Sequence, residues 1–433
     1  MTLMASGRRE FVKSVLALGG VAALGRSRAG DGTVTASIAS EVGTRWSGWR
    51  PGHFQFHSIY TGVGESSFLI YPDGTTMLLD CGDHDAINRG ALAVPVLPNG
   101  ERRAGEWIAR YVQRVNPAKT EVDYMVLSHF HADHSGCMAH HAGIRDGVPL
   151  SGFGHAAEWL TFRRAVDRGY PDYTDPFPFR SGERLGSKEL MERVYGVLKK
   201  RDGLTVEAAR LGAADQYPPL RNPSFCKDFG IRNVAVNGKV ALADGTVRNV
   251  LAGYPRERWH HILGENGLSI CHLITYGKFR LLTTGDFSET LPTRDGTGHR
   301  IEDDLADAVP RVDVAKIPHH GHRSMSAKLA AKLSPRVWLS GVWDQLHNTA
   351  DTMERIDRAY DGERLYCPGI FPAERRWQDR DARWMRDIAP ECYTGAHVVV
   401  DVPRGGEEYL VAFLSARDES MTVRGVRRFR TGK

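Results

Sequence analysis

The segment Leu127–Gly136, LSHFHADHSG, concentrates side chains that bind metals or transfer protons. His129, His131, Asp133 and His134 fall within six positions. Side chains at alternate positions of a loop that leaves a strand can converge, so His129 and His131 could hold one cation while Asp133 and His134 turn toward a second. Imidazole and carboxylate groups suit zinc, iron or manganese, at distances of about 2.0–2.2 Å. Histidine pairs are common in proteins, whereas four such residues in six positions indicate a site.

Further polar residues close apolar strands later in the chain. Asp286 ends FRLLTTGD, and His319 and His320 end VDVAKIPHH. Two short-range pairs leave both coordination spheres incomplete, so Asp286 and His320 are the expected additional ligands, and a carboxylate such as Asp286 can bridge two cations. Asp80 closes MLLDCG and is predicted to accept a hydrogen bond from a ligand imidazole, which fixes the tautomer of that ring. The alternative for Asp286 and Asp80 is a role as a cap or turn residue.

Apolar runs around these residues predict the elements that position them. Residues 66–80 predict a β-hairpin about a Pro-Asp-Gly turn, and residues 101–115 predict a helix followed by the strand DYMVLSH. A second hairpin, LSICHLITY and FRLLTTGD, ends at Asp286. The strands VDVAKIPHH, RVWLSGV, HVVVDV and EYLVAFL follow. This order fits an α/β fold, a four-layer αββα sandwich with helices outside two sheets.

One domain is predicted from residue 45 to residue 433, with an insertion at about 150–262. The insertion carries a predicted helix at 187–201 and the Pro- and aromatic-rich segment 170–179. It either walls the pocket or forms surface loops without a role. The six cysteines show no CxxC spacing, which argues against a structural zinc knuckle, and any disulfide pairing between them stays open.

The N-terminus resembles a twin-arginine export signal. Residues 1–30 contain an arginine pair, Phe11 and Lys13, then a ten-residue apolar run at 15–24 that is shorter than the roughly 20 residues of a membrane span. We expect export by the twin-arginine machinery to the periplasm or cell exterior, with no stable membrane span. The alternative is an amphipathic N-terminal helix of a cytosolic protein.

The net charge gives little support to a nucleic-acid partner. Residues 1–30 hold five basic residues and one acidic residue, a net +4, so the remainder carries only +1 of the total +5. A second basic cluster lies in the tail at 424–433 and is typical of a solvated chain end. Nucleic acid therefore remains possible as a partner but is not favoured by charge.

The segments LLDCGD, SHFHADHSG, TTGD and IPHHG together resemble the metallo-β-lactamase fold superfamily, whose hallmark is H-x-H-x-D-H. Within this superfamily the motifs are most similar to those of the hydrolase domain of ComEC-type DNA-uptake proteins and of phosphorylcholine esterases. The resemblance covers roughly residues 55–145 and 265–350. Such motifs are specific for the fold and the metal and much less so for the substrate.

The resemblance implies a role for each matching residue. His129 and His131 would bind one cation, Asp133 and His134 the other, with Asp286 as the bridge and His320 completing the second site. Two zinc ions are expected, with manganese or iron as alternatives. His319 could replace His320 as the ligand.

Many superfamily members supply a third histidine to the first cation, for which His155 is the candidate here, although the DNA-uptake relatives do without it. His347 resembles a histidine of these relatives that contacts substrate or donates a proton to the leaving group, and its alternative is an exposed loop histidine.

The expected activity is that of an exported hydrolase that uses a metal-activated hydroxide, with Asp133 orienting the nucleophile. A phosphoester or related ester, small or part of the cell envelope, is the favoured substrate. The alternatives are a β-lactam, lactone or thiolester hydrolase, a mononuclear iron oxygenase, or a binding module without turnover.

Overall fold

The computed structural model describes residues 42–84, 93–179 and 185–432. The predicted export signal at 1–30 lies outside these ranges. The described strands, in chain order, are β1 (Phe54–Ser58), β2 (Ser66–Ile70), β3 (Thr76–Cys81), β4 (Glu121–Val126), β5 (Ile144–Arg145), β6 (Val148–Pro149), β7 (Thr161–Asp167), β8 (Thr205–Ala208), β9 (Phe229–Val236), β10 (Lys239–Ala241), β11 (Val247–Asn249), β12 (Cys271–Tyr276), β13 (Phe279–Thr283), β14 (Thr290–Leu291), β15 (His299–Arg300), β16 (Val314–Lys316), β17 (Val337–Leu339), β18 (Leu365–Cys367), β19 (Ala396–Val402), β20 (Glu408–Ser415) and β21 (Val423–Arg430).

The described α-helices are α1 (Ala104–Val115), α2 (Ala132–Ser135), α3 (Gly152–Ala156), α4 (Leu185–Asp202), α5 (Trp259–Ile262), α6 (Glu302–Ala308), α7 (Ala327–Leu333), α8 (Ala350–Ala359) and α9 (Ala373–Gln378). In these ranges no helix combines the length and apolarity needed to cross a bilayer.

Two large sheets carry the predicted strands. The first has the order β21-β20-β19-β1-β2-β3-β4-β7-β8, and the second has the order β11-β10-β9-β12-β13-β16-β17-β18. The predicted hairpin at 66–80 is confirmed as the antiparallel pair β2–β3, and the second as β12–β13. Each sheet continues into parallel strands, β3-β4-β7-β8 in the first and β13-β16-β17-β18 in the second.

The inner faces of the two sheets form one hydrophobic core. Phe54, Tyr71 and Leu79 of the first sheet pack in one buried cluster with Ile274 and Leu281 of the second. The strands alternate, so in β1 the polar Gln55 and His57 point to the opposite face from Phe54 and Phe56. This alternation gives each sheet a second face that a helix layer must cover.

Helices cover both outer faces, which confirms the predicted αββα sandwich. On the first sheet, the buried Tyr111 of α1 places its hydroxyl 3.0 Å from His57 Nδ1. On the second sheet, Leu305 of α6, Leu329 of α7 and Ile356 of α8 share a buried cluster with Leu282 and Trp338. The predicted helix at 101–115 is confirmed as α1, and its buried residues repeat at helical spacing.

The segment predicted as an insertion contributes strands to both sheets. β7 and β8 extend the first sheet, whereas β9, β10 and β11 form one side of the second. The predicted helix at 187–201 corresponds to α4, residues 185–202. Because β9 pairs directly with β12, this segment belongs to the sandwich and is not a peripheral loop.

All six cysteines lie in the described residues, and none of them forms a disulfide. Five of the thiols are buried in the core, including Cys81 beside the motif region, whereas Cys137 is half-buried. They therefore pack as small apolar side chains and supply no covalent cross-link.

Two glycines with positive φ differ in the space around them, so replacing each with alanine distinguishes the cost of backbone strain from the cost of a steric clash. Gly277, in the β12–β13 turn, has φ 56° and an added Cβ would lie 2.1 Å from the Gly405 carbonyl oxygen. Gly245 has φ 88° with open space around its Cβ position. We expect Gly245→Ala to cost about 1–2 kcal/mol of the unfolding free energy. Gly277→Ala should cost about 1–3 kcal/mol more, because it also overpacks the contact with Gly405. Urea denaturation of both variants tests this, and equal losses would contradict the close approach.

Candidate metal centre

The predicted site residues follow the carboxyl ends of parallel strands. His129 and His131 come shortly after β4, and Asp80 lies in β3 beside it. In the second sheet Asp286 follows β13, and His320 follows β16. The carboxyl ends of adjacent parallel strands meet at one edge, so each sheet delivers its polar residues to a common position. The two edges face each other across the sandwich.

His129, His131 and Asp286 form the first group of side chains that could hold a metal ion. His129 Nε2 lies 2.9 Å from His131 Nδ1 and 3.7 Å from Asp286 Oδ2. His129 and Asp286 are fully buried, whereas His131 is partly exposed. The predicted pair His129 and His131 therefore does converge on one point together with Asp286.

The second group is built around the same carboxylate oxygen. His134 Nε2 and His320 Nε2 lie 3.2 Å apart, and they are 3.3 and 3.4 Å from Asp286 Oδ2. Asp133 Oδ2 lies 3.0 Å from His320 Nε2 and 3.7 Å from His134 Nε2. Asp286 Oδ2 is thus common to both groups, where a bridging ligand must be.

Hydrogen bonds at the outer nitrogens decide which imidazole nitrogens face Asp286. Asp80 Oδ2 lies 2.8 Å from His134 Nδ1 and also accepts the Ser128 hydroxyl at 2.7 Å. Ser128 Oγ in turn lies 3.0 Å from His129 Nδ1. A neutral imidazole that donates from Nδ1 carries its lone pair on Nε2. Asp80 and Ser128 therefore turn the Nε2 lone pairs of both His129 and His134 toward Asp286.

His320 has the same orientation for a different reason. Its Nδ1 lies 3.2 Å from Glu65 Oε2, which leaves Nε2 to face Asp286 and Asp133. Three imidazole Nε2 atoms and a carboxylate oxygen thus converge in a buried space. Among the described residues, no donor makes a well-directed hydrogen bond to Asp286 Oδ2. Such a set repels itself unless positive charge lies between its members.

The distances fit a cation. Two ligand atoms that are each about 2.1 Å from a tetrahedral cation lie about 3.4 Å apart. The separations from Asp286 Oδ2 to the three Nε2 atoms, 3.3–3.7 Å, agree with that value and exceed the usual hydrogen-bond length. The residues present therefore fit a metal centre.

The excess of buried negative charge around the site also favours cation binding. The carboxylates of Glu65, Asp80, Asp133 and Asp286 are all buried, and Lys316 is the fixed cation that contacts two of them. Burial alone would lower the pKa of His134, but Asp286, Asp133 and Asp80 together raise it to about 10. In the absence of a metal the site would therefore recruit protons. Bound divalent cations supply the missing positive charge directly.

Strained backbone holds several of these residues. Asp80, His319 and His320 have φ values of 60°, 50° and 51°, in the left-handed region that non-glycine residues avoid. The His320 carbonyl accepts hydrogen bonds from Asn348 N at 3.1 Å and from Ser340 Oγ at 3.2 Å. These contacts fix the direction in which the His320 imidazole leaves the chain.

Glycines bring a second backbone segment against the motif. A Cβ added to Gly82 would lie 1.9 Å from the Asp133 carbonyl oxygen, and one added to Gly64 would lie 2.7 Å from it. The Asp133 carbonyl also accepts a 2.8 Å hydrogen bond from Glu65 N. The short helix α2, which carries Asp133 and His134, is therefore packed against backbone that tolerates only glycine at these two positions.

Two of the residues considered as alternative ligands lie outside both groups. His155, the candidate third ligand, is on α3 with its Nε2 4.0 Å from Glu106. His319 Nε2 lies 3.2 Å from Asn266 Nδ2. Among the described residues the first group thus offers three side chains, which is the number that would leave a coordination position open for water if zinc were bound.

His347 is buried and lies against the second group. Its ring stacks on that of His320 with centroids 4.7 Å apart and an interplanar angle of 13°. Its Nδ1 accepts a 3.3 Å hydrogen bond from Trp343 N. The alternative interpretation of His347 as an exposed loop residue is wrong, because only 6% of its surface is accessible.

Sequence reasoning missed Glu65, Lys316 and Trp343. Trp343 Nε1 donates a 2.9 Å hydrogen bond to Asp133 Oδ2. A signal existed for Lys316, since lysine is rarely buried unless paired and here it ends an apolar strand. Glu65 and Trp343 carry no comparable local signal, because their partners are distant in the chain.

Residues 60–206 match the sequence profile of the Metallo-beta-lactamase superfamily. The matched segment includes β2–β4, the HFHADH motif and α4. No curated protein matches the chain. The protein therefore carries a metallo-β-lactamase superfamily domain with a candidate metal-binding cluster. The more specific resemblance to DNA-uptake proteins and phosphorylcholine esterases stays a prediction.

The adjacent residues His319 and His320 allow the ligand assignment to be tested with a matched control. We expect His320→Ala to lose cation binding in the second group, because its Nε2 is one of the atoms that face Asp286. His319→Ala should retain wild-type cation content, because its ring lies outside both groups. Elemental analysis of the two purified variants measures the difference. Loss of cations in His319→Ala with full retention in His320→Ala would reverse the assignment.

Proposed function

We propose that this protein is an exported metal-dependent hydrolase that holds two cations, most simply zinc, and acts on a phosphoester or related ester. The observation that carries the proposal is the convergence of three imidazole Nε2 atoms on Asp286 Oδ2 at 3.3–3.7 Å. His129, His131 and Asp286 would hold one cation. Asp133, His134, His320 and the shared Asp286 would hold the other. When bound, such a pair would lower the pKa of a coordinated water toward about 7.

The chain itself fixes the direction of attack. Asp133 and His131 are the ligand-group residues with the most solvent access, so substrate approaches from their side. Asp133 Oδ2 is held by Trp343 Nε1 at 2.9 Å. A carboxylate fixed in this way can accept a hydrogen bond from the attacking water and orient its lone pair toward the substrate.

His347 supports departure of the leaving group. Because its Nδ1 accepts from Trp343 N, the proton of the neutral ring is on Nε2. A neutral N–H donates a hydrogen bond to an oxygen that is gaining negative charge. Stacking on His320 holds the ring beside the second group. Trp343 and His347 therefore act together, one on Asp133 and the other on the leaving oxygen.

Phosphoesters are favoured as substrates by the resemblance to phosphorylcholine esterases and DNA-uptake hydrolases. A small or cell-envelope ester suits the nearly neutral charge outside residues 1–30 better than a long polyanion does. Export agrees with this choice, since an envelope substrate lies outside the cytoplasm. Folding before export would also let the protein acquire its cations inside the cell.

Elemental analysis and a substrate screen test the proposal together. We expect about two zinc or manganese ions per chain and hydrolysis of bis-p-nitrophenyl phosphate or a phosphorylcholine ester. Nitrocefin and single-stranded DNA should be poor substrates. Asp133→Asn should lower the rate by about 10²–10⁴-fold, because it removes an oriented proton acceptor.

Asp401→Asn is the matched control. Asp401 is also a buried carboxylate, but it binds Gln55 and His53 on another part of the first sheet. This variant should keep the wild-type rate. If the protein held one iron per chain and consumed oxygen, the hydrolase proposal would be wrong and an oxygenase would be indicated. If it bound metal but turned over no substrate, a binding module would be indicated.

The mature N-terminus tests export. We expect the cellular protein to lack Met1 and Met4, and to begin beyond the apolar run at 15–24. Lysine substitution of the Arg8–Arg9 pair should leave the full-length chain in the cytoplasm. Intact-mass measurement of the protein from cell fractions decides this, and a wild-type protein that keeps its N-terminal 24 residues and is confined to the cytoplasmic fraction would contradict export.

A further inference from the structure

A buried lysine contacts the shared carboxylate on the side away from the histidines. Lys316, the last residue of β16, is 4% exposed. Its Nζ lies 3.4 Å from Asp286 Oδ1 and also donates to the Gly285 carbonyl oxygen. The three Nε2 atoms all face the other oxygen, Oδ2. The two oxygens of Asp286 are therefore in different environments.

Glu65 connects this lysine to a second ligand. Glu65 Oε2 lies 3.2 Å from Lys316 Nζ and 3.2 Å from His320 Nδ1. Glu65, His134, Asp286 and His320 are mutually close enough to hold a metal ion, so Glu65 is itself a candidate ligand. However, its oxygen meets Lys316 and faces Nδ1 of His320, whereas the other groups converge on Nε2. This geometry makes Glu65 a support for His320 and for Lys316.

We propose that Lys316 is a positioning residue that restricts Asp286 to bridging through the single oxygen Oδ2. This inference rests on the proposed two-cation centre. The Lys316 ammonium, fixed by Glu65 and by the Gly285 carbonyl, engages Oδ1 and prevents the carboxylate from turning that oxygen toward a cation. The same Glu65 carboxylate holds His320 from behind. One buried network thus sets the orientation of two ligands from different strands.

Two features of the surroundings make rotation of Asp286 sensitive to Lys316. Asp286 N donates a 3.1 Å hydrogen bond to Ser269 Oγ, which holds the backbone of this residue in place. Gly285 has φ 49°, and a Cβ there would lie 3.0 Å from both Ser128 and Ser269. The backbone is therefore clamped, and the choice between Oδ1 and Oδ2 depends on the partner of each oxygen.

Cobalt titration of the full chain tests this role without relying on turnover. Co²⁺ is added to the metal-free wild type, to Lys316→Met and to Arg364→Met, and the visible d–d absorption and the spin coupling between cobalt ions are recorded. Lys316→Met should change the Co²⁺ affinity by about 10- to 100-fold, as changes in residues that orient ligands do. Its absorption and spin coupling should also change, because Oδ1 becomes available to a cation.

Arg364→Met is the matched control. Arg364 is likewise a buried cation, paired with Asp357 at 2.7 Å away from the metal groups. It should lower the melting temperature while Co²⁺ affinity and absorption stay at wild-type values. Unchanged affinity and spectra in a folded Lys316→Met protein would overturn the positioning role.

A double variant covers the case in which Lys316→Met fails to fold because Glu65 is left unpaired. Glu65→Gln combined with Lys316→Gln removes both charges and leaves two amides that can pair. Its Co²⁺ affinity should also differ from that of the wild type, although the net charge is unchanged, and wild-type binding by this protein would overturn the proposal. A wild-type chain that binds no Co²⁺ would overturn the two-cation centre itself, whereas wild-type binding of two ions with an indifferent Lys316 would overturn only this inference.

Discussion

The electron-rich atoms around Asp286 Oδ2 impose the constraint on which the site depends. His129, His134 and His320 each present Nε2 to this oxygen at 3.3–3.7 Å inside the protein. Their outer nitrogens already contact Ser128, Asp80 and Glu65. The rings therefore cannot turn away without losing buried partners, and the repulsion is relieved only by positive charge at the centre. The fold therefore keeps an excess of electron-rich atoms at this position, and bound cations would neutralise it.

The architecture explains how that imbalance is maintained. Parallel strands in both sheets bring Asp80, Asp286 and Lys316 to facing edges, and the hydrophobic core between the sheets fixes the distance. Residues beyond the strand ends adopt left-handed backbone, as at His320, and neighbouring carbonyl contacts hold them there. The strands thus fix where the site residues lie, and the strained segments after them fix the direction in which the side chains point. A site of this kind is organised before any ligand arrives.

Much of this arrangement could be predicted from local pattern, and the remainder depends on contacts between distant segments. The hairpins at 66–80 and 268–286 and the helix at 101–115 follow from short-range periodicity and turn residues. The HFHADH motif and the strand-ending Asp286 and His320 could also be found, because polar residues that end apolar strands are conspicuous. Glu65 and Lys316 were missed, since their pairing joins the two sheets across 251 positions of sequence. The contribution of residues 150–262 to both sheets could not be predicted, because β8, β10 and β11 have only four, three and three residues and β9 pairs with β12, which is distant in the chain.

Anomalous diffraction from crystals of the zinc-loaded protein tests the central claim most directly. Data collected on both sides of the zinc absorption edge locate bound zinc independently of the protein atoms. The account predicts two peaks about 3.5–4 Å apart, on either side of Asp286 Oδ2, one beside His129 and His131 and the other beside His134 and His320. Zinc peaks remote from Asp286, or no zinc in a protein that keeps this geometry, would contradict it.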